Sequence, residues 1–170
     1  MKRAFSARRA ARFAARMGVL VAAAFVLSWI EFLLPLPVGI PGVKLGLCHI
    51  VVLFCLYRLT PGEAAAVSLV RALLAFLLFG TAVSLIYSLA GAVLSLAVML
   101  LLKRTGVFSP AAVSVSGAVT HNLTQLGCAA LLMRTAGLAF YAPVLRTAAL
   151  LTGAAVGAAG SLCIRLVPER

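Results

Sequence analysis

Apolar residues fill six long stretches between Met17 and the last few positions of the chain, and polar residues interrupt them only briefly. A helix that crosses about 30 Å of hydrocarbon needs roughly twenty such residues. Lipid also offers no partner to an unpaired backbone group, so each stretch is expected to be helical. The pattern predicts spans at about 17–36, 43–59, 61–79, 83–102, 110–133 and 143–165, the second of them short.

Local signals mark several of the boundaries. Pro35, Pro37 and Pro41 exclude a continuous helix after the first span. In TPGEA, Thr60 suits an N-cap, Pro61 the first helical position and Glu63 the third, which together make a capping box. Lys103 and Arg104 end the fourth span, Ser109 and Pro110 repeat the cap-and-proline start for the fifth, and Pro143 opens the sixth. The expected architecture is all-α: a polytopic bundle of six transmembrane helices (17–166), preceded by a basic lead (1–16) and followed by a short tail (167–170).

Charge orients this bundle. Six cations precede Met17, and with the N-terminus inside, Arg58, Lys103, Arg104, Arg165 and Arg170 join them, against Lys44, Arg134 and Arg146 outside. Eleven against three places both termini in the cytoplasm by the positive-inside rule. Arg8, Arg12 and Arg16 recur every fourth residue, so a short helix in the lead lays a basic stripe on the membrane surface.

The composition of 64% hydrophobic residues with three acids among 170 residues lies far outside the soluble range. A net charge of +12 invites a nucleic-acid reading, but the cations flank apolar segments instead of gathering on one face with aromatics, so lipid contact is the better explanation and no nucleic-acid partner is expected. Cys48, Cys55, Cys128 and Cys163 lie within apolar segments at no metal-ligand spacing, which reads as packing, with no metal site. No Walker loop or nucleophile elbow occurs, and no cofactor is expected. The chain contains no aspartate, so chemistry that holds diphosphate through Mg²⁺ on Asp clusters has no place on it, and no enzymatic activity is expected.

Polar side chains inside spans carry the functional information, because each is costly there. At about 1.5 Å per residue, Glu31 stands roughly 20 Å and Arg71 roughly 14 Å from the cytoplasmic starts of their spans. His121, Asn122 and Gln125 in THNLTQ share a face or its shoulder, roughly 18 to 24 Å deep by the same rise. His49 reaches a similar level from the outer end of the second span, with Lys44 at the rim above it, and Ser84, Tyr87 and Ser88 lie near the outer end of the fourth. Each has an alternative structural reading, such as an ion pair fixing two helices, an interhelical histidine or an interfacial tyrosine. Their convergence predicts an outward-opening pocket for a small polar or anionic molecule. Small residues four apart, Gly18 and Ala22, Ser114 and Ala118, Gly153 and Gly157, suit close helix contact. Gly18 and Ala22 are the candidate partner face.

The segments PGVKLGLCHI, SLVRALLAFLLFGT, SLIYSLAGAVLSLAVM and GAVTHNLTQL resemble, in order, a bacterial membrane family called the Gx transporter family, also known as heptaprenyl diphosphate synthase component I. In size and span count that family is similar to the substrate-binding S components of energy-coupling-factor transporters, a fold-level analogy. The resemblance covers the first span into the sixth, and Lys44, Arg71, Tyr87, His121, Asn122 and Gln125 sit in its motifs. Where the family pattern commonly reads LGLAN, this chain has Leu45, Gly46, Leu47, Cys48 and His49, an imidazole in place of an amide. The resemblance implies a multi-pass protein of the bacterial plasma membrane, an S-component-like subunit that captures its solute outside and depends on a separate energising ATPase module, with the 35–41 loop as a gate. The alternative it implies is a non-catalytic membrane subunit of heptaprenyl diphosphate synthase in isoprenoid biosynthesis. Glu31 and His49 join the site on the residue argument alone.

Overall fold

The computed structural model describes residues 2–33, 46–133, 137, 140 and 142–167. Among them the chain forms six helices and no strand: α1 (Lys2–Leu33), α2 (His49–Arg58), α3 (Pro61–Phe79), α4 (Ala82–Thr105), α5 (Pro110–Met133) and α6 (Ala142–Leu166). Segments Ala7–Leu33, Pro61–Leu78, Ala82–Thr105 and Ala142–Leu166 are long and apolar enough to cross a membrane. The fifth helix matches them in length, at 24 residues, but Thr120, His121, Asn122, Thr124 and Gln125 dilute its apolar character.

Two expectations change. The second predicted span contributes a helix of only ten residues, about 15 Å long and half of what a bilayer crossing needs. Gly46 sets its start: a φ of 73° is a left-handed conformation that glycine adopts without strain, and the chain enters α2 through the turn it makes. The basic lead, in turn, is no separate short helix. Its Ala- and Arg-rich sequence favours helix and contains neither Pro nor Gly, so it continues into the first span as one helix of 32 residues. The 35–41 loop and Lys44 lie outside the described residues.

The caps behave as their chemistry dictates. Thr60 and Glu63 form the reciprocal capping box, with Pro61 in the first turn, and the Ala112 N–H donates to the Ser109 side chain. Thr81 and Ser84 make a second capping box at the start of α4. Connections of two residues (α2 to α3, α3 to α4) and four residues (α4 to α5) force consecutive helices to run antiparallel.

Packing centres on α2, which contacts α1, α3, α5 and α6. Its Leu53, Cys55 and Leu56 are fully buried and join Ala24, Val67, Met99 and Val113 in the core. Between α5 and α6 backbone meets backbone. A Cβ on Gly153 would stand 2.9 Å from Val115 Cα, and one on Gly157 would stand 2.9 Å from Ala111 Cα. The small residues of the two predicted motifs thus face one another: Gly153 meets Ala118, and Gly157 meets Ser114. Leu77, Leu131 and Leu151 are more than 70% exposed, as suits helices whose outer faces meet lipid.

One end of the bundle is tied by cations. Arg16 pairs with Glu63, Arg58 Nε donates to the Ile164 carbonyl at 3.0 Å, and Lys103 donates to the Leu56 carbonyl while lying 5.1 Å from the Tyr57 ring. Two of these bonds satisfy carbonyls in the last turns of α6 and α2, where a positive charge is also favoured by the helix dipole.

Because backbone atoms surround Gly157, Gly157→Leu should lower the unfolding free energy of the solubilised protein by about 1–3 kcal/mol or more. Gly18, with nothing within 4 Å of a Cβ, should accept Ala with no loss and a gain of up to about 1 kcal/mol. Denaturant titration followed by circular dichroism reads both.

Candidate functional site

The polar residues of five helices and the α2 entry turn meet around two adjoining cavities. From α1 come Ser28 and Glu31, three positions apart and so on one face. Arg71 faces them from α3. Ser84 and Ser88, one turn apart, come from α4. The larger cavity, about 230 Å³, is lined by these five residues together with Phe32, Phe76 and neighbouring small or apolar side chains. Gly80, at the C-cap of α3, also lines it, so the cavity lies toward the end of the bundle opposite Arg16, Arg58 and Lys103.

The smaller cavity, about 20 Å³, has room for about one water. Glu31, Arg71 and Ser88 line it as well, and Cys48, His49, His121 and Asn122 complete its polar wall. The shared Glu31, Arg71 and Ser88 make the two cavities parts of one site.

Arg71 is 8% exposed. Its Nη1 donates to Ser28 Oγ at 3.3 Å, and Ser28 in turn donates to the Ala24 carbonyl at 3.0 Å. Its Nε has no hydrogen-bond partner among the described residues. Glu31 accepts from the Gly46 N–H, which fixes the α2 entry turn against α1. Although both charges line both cavities, Glu31 and Arg71 form no ion pair with each other among the described residues. The reading in which they merely clamp two helices together therefore loses its central contact.

His49 Nδ1 lies 3.2 Å from the Gly46 carbonyl and 3.7 Å from Cys48 Sγ, so the α2 turn orients the ring. His49 and His121 meet edge to face, with centroids 5.1 Å apart. Gly91 on α4 makes room for this arrangement: a Cβ there would stand 2.9 Å from His121 Cε1 and 3.3 Å from Gln125 Cγ.

Of the residues singled out in the sequence, Glu31, His49, Arg71, His121 and Asn122 come together. Tyr87 and Gln125 line neither of these two cavities. Gln125 is buried beside His121 and Gly91, and its Oε1, like the buried Tyr87 hydroxyl, has no hydrogen-bond partner among the described residues. Gly18 and Ala22 are exposed on α1, away from the site.

Sequence reasoning passed over Ser28, Cys48, Gly91 and Thr152, the last a residue of α6 that lines the smaller cavity. Ser28 carried a usable signal, a polar side chain one turn before Glu31 in an apolar helix. Cys48 is more than a packing residue, because it lines the smaller cavity beside His49. Among the described residues no three His, Cys, Asp or Glu side chains are grouped to hold a metal ion. The arrangement gathers a guanidinium, a carboxylate, two imidazoles, an amide and hydroxyls around a small volume.

Since only side-chain atoms crowd Gly91, Gly91→Val should leave the bundle folded and push the His121 ring aside. Imidazole NMR signals should then show the loss of the His49 to His121 ring contact, with a stability cost of about 1–3 kcal/mol.

Residues 20–163 match the family described as heptaprenyl diphosphate synthase component I. No curated protein and no solved structure matches the chain significantly.

Proposed function

The chain belongs to the heptaprenyl diphosphate synthase component I family, and from that footing we propose that it is a non-catalytic membrane protein that captures a small polar or anionic solute between its helices. It would act as the substrate-binding subunit of an uptake system of the S-component kind and rely on a separate energising module. The observation that carries this reading is the buried site itself. Arg71 and Glu31 both line a cavity of about 230 Å³ and, among the described residues, form no ion pair with each other. Charge held within apolar helices is expensive and is retained where a ligand or a partner charge uses it.

The side of entry follows from charge. Arg16, Arg58 and Lys103 cluster at the end opposite the cavity. With the basic end in the cytoplasm, the site faces the outside of a bacterial plasma membrane and both termini face inward. The exposed Gly18 and Ala22 on α1 then offer a smooth strip in the cytoplasmic half for an energising membrane subunit.

A second reading has one specific point in its favour, the family's name, which speaks of one component of a synthase. In that role the chain would anchor a soluble catalytic partner and accommodate lipidic product. The groove between α3 and α4, about 380 Å³ and lined by Ala65, Leu69, Val93 and Leu96 among others, is apolar enough for a hydrocarbon chain. The three glutamates, Glu31, Glu63 and Glu169, are widely spaced in a chain without aspartate, so metal-held diphosphate chemistry would belong to the partner.

Native mass spectrometry of the mildly solubilised protein separates the two. A co-purified polar solute supports capture, and an isoprenoid diphosphate supports the synthase role. Arg71→Ala and His121→Ala should each abolish solute retention while partner association persists. If both variants fold and retain the solute at full affinity, the pocket assignment fails. Gly18→Leu or Ala22→Leu should reduce partner co-purification and leave solute retention intact.

A further inference from the structure

We propose that the solute taken by this site is a small zwitterion, its carboxylate held by Arg71 and its ammonium by Glu31. The inference rests on the reading of the cavity as a solute site, and it specifies the charge the solute must carry.

Opposite charges on two different helices, α1 and α3, line the same two cavities and are not joined to each other. The Arg71 guanidinium has five N–H donors, of which Nη1 bonds Ser28, and the side chain lines both cavities. The geometry therefore leaves it able to bond a carboxylate. A carboxylate such as Glu31 has about four acceptor positions, of which the Gly46 N–H takes one. Among the described residues that is its one bond, which holds the group against the α2 entry turn beside the cavity and leaves acceptor capacity for an ammonium.

Ligands of a single charge fit this wall poorly. A plain anion would answer Arg71 and leave the Glu31 carboxylate facing another negative charge, and a plain cation would do the reverse to Arg71. An uncharged ligand would displace water from both without replacing it. A molecule with both groups neutralises both walls in a medium where each unpaired charge is costly. Ser84 and Ser88 add neutral hydroxyls along the same wall.

Size narrows the class further. The larger cavity, about 230 Å³, falls below the roughly 300–1,000 Å³ usual for drug-sized ligands, and two aromatic rings, Phe32 and Phe76, supply its apolar side. An amino-acid-sized molecule is the fitting occupant.

The test uses the full chain in lipid nanodiscs and six probes measured by isothermal titration: glycine, L-alanine, β-alanine and γ-aminobutyrate as zwitterions, with butyrate and butylamine as single-charge controls. At least one zwitterion should bind ten times or more tighter than either control. Glu31→Gln and Arg71→Gln, checked as monodisperse by gel filtration, should each weaken that binding about 10- to 100-fold, while Arg71→Lys should recover part of it. In Glu31→Gln the preference should move toward butyrate.

A control that binds as tightly as the best zwitterion, or zwitterion binding that ignores Glu31→Gln, overturns the proposal and leaves solute capture standing. Absence of binding by all six probes also overturns it. In that case a singly charged or neutral solute co-purifying with the wild-type protein keeps the capture reading alive, and the absence of any co-purified solute ends both.

Discussion

A guanidinium keeps its charge wherever it is buried, and Arg71 stands in the middle of an apolar helix at 8% exposure. The bundle must therefore be built around it. Ser28 supplies one acceptor from α1, and Glu31, one turn further on, supplies the opposite charge at the cavity they share. The Gly46 N–H then uses Glu31 as an anchor for the turn into α2. A single costly side chain on α3 thus sets the relation among three helices, and the cavity is the space left when its charge is approached from several sides without being closed off.

The rest of the molecule is tight where the site is open. Along α5 and α6 the glycines bring backbone to backbone, with Gly153 and Gly157 leaving no space for a Cβ. In lipid, where apolar side chains gain little by leaving the solvent, such contacts hold helices through dispersion over a close fit. At the far end, Arg58 and Lys103 close the α6 and α2 termini on backbone carbonyls. This rigid frame matters to the site because α5 carries His121 and Asn122. Their position relative to His49 depends on how closely α5 can be held between α4 and α6.

Much of this was legible from residues whose physics is local. Thr60, Pro61 and Glu63 specify a helix start by their spacing alone, and the structure forms that capping box. The pairs Gly153 with Gly157 and Ser114 with Ala118 marked close contact, although spacing within one helix does not reveal which helix it meets. Glu31 and Arg71 drew attention because lipid penalises them. What escaped were features that depend on three dimensions. The second span is cut to ten residues by the Gly46 turn, and hydropathy does not register a change in φ. The continuity of the basic lead with α1 follows from helix propensity, which the charge pattern obscured. Gly91 lacks any polar mark and is understood only when His121 is seen filling the space beside it, while Cys48 resembles its packing neighbours until the cavity wall is traced.

The choice between solute capture and a lipidic synthase role turns on where polarity is spent. A surface that only anchors an enzyme or cradles a hydrocarbon chain gains nothing from a carboxylate and a guanidinium held inside the bundle. The apolar groove of α3 and α4, lined by Leu69, Val93 and Leu96, is sufficient for that task and contains no charged side chain. The charged residues instead line the separate cavity toward the opposite end of those helices, with Gly80 at its edge. Placing charges there costs stability that packing at α5 and α6 must offset, and the proposed ligand of both signs would compensate that cost. The family name describes a component of an assembly, which is compatible with either partner. Within this chain, the buried charge is the feature on which the proposed capture of a polar solute stands.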